Sequence, residues 1–570
     1  MRDQEKDLPK RIGPLRTALG ALSGLLAGVA ALAVAELAAA AVRPEAGPVV
    51  AVGGAAIDRT PATVKDWAIR HFGTNDKLVL QLGILAVLAV LALVLGSAAV
   101  RYRRSGAAGV LLFGVVGAVA ALGRPDSVGL SDSLPSVVGA VAGALVLYSL
   151  AGRLRARPAA VPVGAGGAGP GSADSGSTDA DSGDSGSKDS SDAGSGNSGS
   201  QDSRTPVPFD RRGFVLTAAG VAVGSTAAGI AGRSLGTAKG KGAIASRDQV
   251  VLPRPGSPAR AVPARAGLRI PGVSPFITPN ADFYRVDTAL VVPKVDAGTW
   301  RLRIHGKGVR RPLDLGFEDL LRRELIERTV TLTCVSNEVG GGYAGTARWT
   351  GVRLADLLEE CGVRAPSRGG PADQLVARSV DGMTLGTPVE DVLDGRDAML
   401  AVGMNGEPLP FEHGFPVRMV VPGLYGYVSA CKWLTDLELT TFDSYDPYWV
   451  KRGWARRAPI KTQSRIDTPK PFARPKEGTV MVAGVAWAQH RGIDKVEVRV
   501  DDGPWQEAHL AAEDTRDTWR QWSFPWDATK GGHTLSVRAT DRTGRLQTER
   551  RTRTVPDGAS GWHSVVVTVG

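Results

Sequence analysis

The sequence predicts an α-helical membrane segment of about five helices, an α+β domain after it, and a C-terminal all-β sandwich. Long apolar runs without amphipathic spacing are confined to the first 235 residues. A Ser-, Gly- and Asp-rich tract interrupts them, and from about residue 276 strand and helix periods alternate. At 570 residues the chain is too long for one domain. Its net charge of +11 would suit nucleic acid, but the basic residues are scattered and no recognition motif accompanies them, so nucleic-acid binding is not expected.

The membrane portion, 1–156, holds four apolar runs at 18–41, 78–100, 107–122 and 134–151. About 20 apolar residues span a bilayer, so each reads as a transmembrane helix, the third being the shortest. Basic residues set the orientation. Arg2, Lys6, Lys10, Arg11 and Arg16 precede the first run, Arg101-Tyr-Arg-Arg104 follows the second, and Arg153-Leu-Arg-Ala-Arg157 closes the fourth. Both ends of the four-helix region therefore face the cytoplasm. The loop of 43–77 is also basic, but longer, with a helix-like piece around 64–72.

Residues 157–208 are low in complexity and too polar to bury a core, so they read as a flexible linker. Asp210-Arg-Arg-Gly-Phe-Val-Leu216 then opens a Gly- and Ala-rich apolar run, giving a fifth segment at 209–234. The pair Arg211 and Arg212 resembles a twin-arginine export signal. A plain membrane helix with a basic cytoplasmic flank has the same topology. Residues 235–275, rich in Pro, Arg and Gly, read as a tether with little structure of its own.

In the domain of 276–455, Trp300-Arg-Leu-Arg-Ile-His305 alternates as a strand, 315–325 and 354–361 carry helical spacing, and 417–421 reads as a buried strand. Thr331-Leu-Thr-Cys-Val-Ser-Asn-Glu-Val-Gly-Gly-Gly342 places Cys334 at the end of a buried strand, before a glycine-rich loop. A thiolate there suits a soft metal. Cys361 and Cys431 are distant, so a structural zinc site is excluded, but a lone thiolate can bind a metal held mainly by an organic cofactor. A buried core cysteine is the alternative reading. Three more polar clusters occur, Thr278-Pro-Asn-Ala-Asp-Phe-Tyr-Arg285-Val-Asp287, Gly403-Met-Asn-Gly-Glu-Pro-Leu-Pro-Phe-Glu-His413-Gly-Phe-Pro-Val-Arg418 and Pro422-Gly-Leu-Tyr-Gly-Tyr-Val-Ser-Ala-Cys-Lys432-Trp433.

These clusters, in this order, resemble the molybdopterin-binding domain of the sulfite oxidase family, so the α+β domain is expected to be sulfite-oxidase-like. Residues 456–570 resemble the family's β-sandwich, usually called the dimerisation domain, which implies an immunoglobulin-like fold able to form a homodimer. Strand alternation at 480–487, 496–500 and 534–539, with a hairpin turn at Asp501-Asp-Gly503, agrees. The resemblance implies a molybdenum–molybdopterin cofactor with Cys334 as its protein ligand. His413, Arg418 and Lys432 would hold phosphate and pterin, and the backbone of Ser429, Ala430 and Cys431 would lie beside them. Asn280, Phe283, Tyr284, Arg285 and Asp287 fall on the family segment that packs against the pterin, and Asp381 would receive pterin amino groups. Arg285 also matches an anion-binding, catalytic arginine.

Two positions depart from the family pattern. Val339 stands where sulfite oxidases carry an arginine, and Trp454 where they carry a tyrosine. Losing a cation and a hydroxyl removes charge-assisted bonds a small dianion needs, so sulfite is disfavoured against a bulkier or neutral S-oxide or N-oxide type substrate. The expected protein is a multi-pass cell-membrane oxidoreductase acting outside the cytoplasm by two-electron oxygen-atom transfer. A membrane-tethered scaffold that had lost turnover would have no use for the Cys334 thiolate. None of the seven histidines lies in an apolar span and no cysteine precedes residue 330. The helices are therefore expected to anchor the enzyme, with electrons passing to a separate partner.

Overall fold

A computed structural model describes residues 13–60, 64, 76–124, 126–155 and 210–570. The expected linker at 157–208 and, Val64 apart, the helix-like piece at 64–72 lie outside the described residues. The N-terminal region contains α1 (Pro14–Ala41), α2 (Pro48–Arg59), α3 (Asp76–Ala99), α4 (Arg103–Leu122) and α5 (Leu134–Arg153), followed by α6 (Arg211–Asp248). Five of these, all but α2, are long and apolar enough to cross a membrane. Helix α2 was not expected. Pro48 opens it at the first helical position, where a missing N–H costs nothing.

Helix α6 corrects the expected boundary at 234, because it runs on through 235–248. Tertiary contacts hold that extension. Arg247 donates from Nε to the Leu409 carbonyl (2.8 Å) and from Nη2 to that of Pro408 (2.8 Å), while Ala243 is buried. The rest of the expected tether is also bound down. Ser257 bridges Ile326, Ala266 is buried, and the Leu268 and Ser274 amides donate to Gln521 (2.5 Å) and Asp467 (3.0 Å). Spaced hydrogen bonds to finished strands order a segment whose own sequence carries no regular period.

The chain divides into two compact units. One comprises Met1–Ala31, Val87–Leu112 and Val141–Thr226. There small residues let helices approach closely. A Cβ at Gly24 would lie 1.9 Å from the Ala92 carbonyl oxygen, and one at Gly96 would lie 2.2 Å from that of Gly20.

The second unit comprises Leu32–Ala86, Phe113–Ala140 and Ala227–Gly570. In its loops Arg43 pairs with Asp126 (3.0 Å) and Asp132 (3.3 Å). Its α+β part has two five-stranded sheets. One runs β2 (Leu313–Gly316), β1 (Arg301–Gly306), β10 (Leu434–Thr440), β5 (Gln374–Ser379), β6 (Thr384–Pro388), with β1 and β10 parallel. The other runs β3 (Leu325–Thr333), β4 (Ala344–Arg353), β7 (Met399–Met404), β8 (Glu407–Pro408), and β9 (Arg418–Val420) also pairs with β7. Residues of both sheets, among them Leu302, Ile304, Leu332, Trp349, Leu400 and Leu437, share one core. Helical spacing over 315–325 is realised only as the short α7 (Phe317–Leu321). The Asp319 carboxylate accepts from the Gly316 amide (2.7 Å), and from Leu325 onward β pairing with β4 takes the chain. Helices α8 (Leu354–Glu360), α9 (Val389–Leu393) and α10 (Gly426–Ser429) complete this part.

The C-terminal part consists of two four-stranded antiparallel sheets, β11 (Gln463–Thr468), β12 (Gly478–Trp487), β16 (Arg520–Ala528), β15 (His509–Leu510) and β14 (Gln506–Glu507), β13 (Ile493–Val500), β17 (Gly531–Asp541), β18 (His563–Val569). Val482, Trp522, Val498, Val537 and Val567 come from both and share a second core. The expected Asp501-Asp-Gly503 hairpin joins β13 to β14, with Asp501 at φ +50.

Candidate active site

Four strand ends and turns converge on a cavity of about 400 Å³. Cys334 follows β3 directly. Its amide donates to the Tyr343 carbonyl (2.9 Å), and the Asn337 side chain accepts from the Tyr343 amide (2.7 Å), closing the glycine-rich loop. At Gly340, φ is +81° and a Cβ would sit 2.2 Å from the His563 ring, so no larger residue fits. The C-terminal sheets also brace this strand. The Gln489 side chain donates to the Thr331 carbonyl (3.0 Å), the Trp519 amide to Thr331 Oγ1 (2.7 Å), and Arg465 to the Gly341 carbonyl (2.8 Å). Burial pushes the Cys334 thiol up, opposed by hydrogen bonds from Ser336 and by the charge of Lys432. A bound cation would resolve that conflict in favour of the thiolate.

Arg418, the first residue of β9, is buried with no carboxylate partner among the described residues. Its guanidinium carbon lies 5.1 Å from the Trp349 ring centre, one Nη reaches the His413 carbonyl at 3.4 Å, and Nε is buried without a partner. Burial lowers its pKa to about 10. Lys432, just before β10, pairs with Asp287 (2.9 Å), donates to the Glu412 carbonyl (3.0 Å) and lies 4.7 Å from the Trp433 ring centre. Asp381 occupies the β5–β6 turn, where burial raises its carboxyl pKa.

The cavity is lined by Tyr284, Asp287, Cys334, Asp381, Arg418, Ala430, Cys431 and Lys432. Asn280, Phe283, Arg285, His413 and Ser429 are not on its wall. They hold residues that are. The Asn405-Gly406 turn, with φ +51 and +86, joins β7 to β8 with the two positive φ values of a type I′ hairpin. Asn405 Nδ2 then donates to the Thr278 carbonyl (3.0 Å) and to Asn280 Oδ1 (2.8 Å). His413 Nε2 donates to the Asn280 carbonyl (3.0 Å), and burial holds this histidine neutral with its pKa lowered to about 4. Phe283 stacks on Tyr284 (5.1 Å between ring centres) and meets the His413 ring edge-on (5.5 Å). Burial also raises the Tyr284 phenol, keeping it neutral. Arg285 pairs with Asp287 (3.0 Å). The Ser429 hydroxyl turns inward to the Leu424 and Tyr425 carbonyls (3.0 Å each), and the Ala430 amide donates to Gly426 (3.0 Å).

Other cavity residues were not anticipated. Tyr427, Tyr448 and Trp449 join the anticipated Trp454 on the wall, and the dense aromatics of 445–449 were the available signal. Ile57, Thr60, Val64 and Leu80 also line it, from a stretch read only as a basic loop and the start of a helix.

Among the described residues no cluster of three or more His, Cys, Asp or Glu side chains could hold a metal. A metal at Cys334 would therefore take most of its ligands from an organic group. The buried Arg418 guanidinium, whose Nε has no partner and which meets no carboxylate among the described residues, suits an anionic part of such a group. The donor set fits a pterin–dithiolene molybdenum cofactor.

Residues 289–449 match the family described as oxidoreductase molybdopterin binding domain. The chain is 32% identical over 293 residues to mitochondrial sulfite oxidase of Rattus norvegicus, covering 44% of this chain and 53% of that protein. It is 31% identical over 322 residues to sulfite oxidase of Gallus gallus, covering 47% and 69% respectively. Among solved structures, the sulfane dehydrogenase SoxCD from Paracoccus pantotrophus aligns with a TM-score of 0.45 at 26% identity, over 52% of this chain and 84% of that one. The chain thus spans about half the length of the mammalian relatives it matches.

Proposed function

The chain belongs to the sulfite oxidase family of molybdopterin-dependent oxidoreductases, and we propose that it is a membrane-anchored member acting outside the cytoplasm on a substrate other than sulfite. When bound, the molybdenum cofactor supplies two-electron oxygen-atom transfer. Cys334 would ligate the metal, Arg418 and Lys432 would neutralise the cofactor's anionic groups, and Asp381 would accept from pterin amino groups. Phe283, Tyr284 and His413 would keep that wall in register. Arg285 and Lys432 both orient Asp287. The observation that carries the reading is the meeting on one cavity of Cys334 and Arg418, whose buried Nε has no partner.

Substrate choice follows from Val339 and Trp454. Val339 is buried and not on the cavity lining, and Trp454 packs against Tyr427 (5.6 Å between ring centres), so neither position supplies an anion with the cation that the family's arginine would. An uncharged S-oxide or N-oxide type substrate suits this pocket better. The domain plan would be a four-helix membrane region at 1–156, a linker at 157–208, a fifth membrane helix from 209, the molybdopterin domain at 276–455 and an immunoglobulin-like sandwich at 456–570. Both termini of the four-helix region would lie in the cytoplasm, since arginine-rich flanks precede α4, follow α5 and precede α6. Electrons would pass to a separate partner, and the sandwich is the candidate surface for a homodimer.

Metal analysis of the purified full-length protein tests the cofactor, with one molybdenum per chain expected. Topology is tested by Arg211→Lys with Arg212→Lys, which should leave residues 239–570 protected from protease added to spheroplasts. Cleavage of the double variant from outside would remove the export role of the pair.

A further inference from the structure

The cavity has a wall that the molybdopterin domain does not supply. Ile57 ends the apolar face of α2, Thr60 and Val64 follow it, and Leu80 lies in the first turns of α3. Helix α2 is seated at separate points. Gly53 lies so close to the domain that a Cβ there would come 2.8 Å from Leu290 Cδ1. Asp58 accepts a hydrogen bond from the Tyr448 hydroxyl and pairs with Arg452 (3.3 Å). Arg452 in turn covers the Tyr448 ring at 3.4 Å and donates to the Tyr448 carbonyl (3.0 Å). These contacts lie within one compact unit of the protein.

We propose that Ile57, Thr60, Val64 and Leu80 form a substrate-binding element, and that together with Trp449 and Trp454 they select an uncharged substrate with an extended apolar body. The cations of the lining are Arg418 and Lys432, whereas a substrate that covers Ile57, Leu80 and the indole rings meets mostly carbon. Such a surface gains from each methylene it covers and offers a small oxyanion no cation. Leu80 belongs to a helix of mean hydropathy 3.0 that is long enough to span a bilayer. Asp58 acts through Tyr448 and Arg452 and is a positioning residue.

This inference rests on the oxidoreductase reading above, and the test separates the two. Molybdenum-loaded full-length protein in lipid nanodiscs is titrated calorimetrically with alkyl phenyl sulfoxides from methyl to hexyl, and with sulfite and nitrate, against empty nanodiscs. The dissociation constant should fall by roughly two- to fourfold per added methylene, and sulfite should bind at least about a hundredfold more weakly than the hexyl compound. Ile57→Asp should shrink the hexyl-to-methyl ratio at least about tenfold, beyond any effect of partition into lipid. Should that variant fail to accumulate, Asp58→Ala, which changes no wall atom, decides by the same ratio. A flat series in loaded wild-type protein, or an unchanged ratio in a loaded variant, overturns the inference alone. Wild-type protein without molybdenum would instead overturn the oxidoreductase reading.

Discussion

The cavity lining combines a charged set, Cys334, Asp381, Arg418 and Lys432, with an apolar set, Ile57, Leu80, Trp449 and Trp454. The charged wall is assembled from strand ends that hydrogen bonds hold in place, because a buried ionic group is tolerated only where its surroundings cannot relax away from it. Lys432 is compensated by Asp287, whereas Arg418 has no acid beside it. The apolar wall asks for volume and not for angles, so a segment more than 250 residues upstream of Cys334 can contribute to it. The contrast suggests that the charged side is built for a resident anionic cofactor and the apolar side for a visitor.

The largest expected effect strikes the charged wall. Cys334→Ser should bring turnover below detection while circular dichroism and thermal unfolding stay those of the parent, since a hydroxyl is a harder and far less acidic ligand. Wild-type turnover in this variant would remove Cys334 from the site. Next, Arg418→Met should cut retained molybdenum by roughly tenfold or more, yet leave cofactor-free protein as stable as the parent, because it exchanges an unpaired buried charge for an apolar side chain. Equal molybdenum in variant and parent would mean that the guanidinium serves the core and not a ligand.

A pH effect separates the residues behind the wall from those on it. His413 is buried and its pKa is lowered from 6.5 to about 4, so the folded protein binds fewer protons than the unfolded chain between those values. Its contribution is therefore complete above pH 6.5 and lost as pH falls toward 4, on the order of 3 kcal/mol in all. Denaturant midpoints at pH 7 and pH 5 should show this loss. His413→Gln should reduce it without abolishing it, because His563 is also held to about 4 by burial. The smallest effect concerns the two positions that depart from the family pattern. Val339→Arg with Trp454→Tyr should raise sulfite turnover by a few fold, and an efficient wild-type sulfite oxidase with a low KM would contradict the substrate reading.

The apolar runs, the strand before Cys334 and the Asp501-Asp-Gly503 hairpin were legible in the chain itself, because each depends on neighbours within a few residues. Cys334, Arg418 and Lys432 were legible through family motifs, which record chemistry at fixed spacing. The extension of α6 to Asp248 and the binding-down of 249–275 were not, since spaced hydrogen bonds to distant strands order them. Likewise, nothing local separates Tyr284, which reaches the cavity, from its stacked neighbour Phe283, which does not. Ile57 and Leu80 were the least legible of all. An isoleucine and a leucine at the edges of apolar helices look alike whether they face lipid, a neighbouring helix or a substrate. Only the tertiary placement of α2 against Leu290, Tyr448 and Arg452 decides which, because hydrophobic burial is non-directional and leaves no local pattern to read.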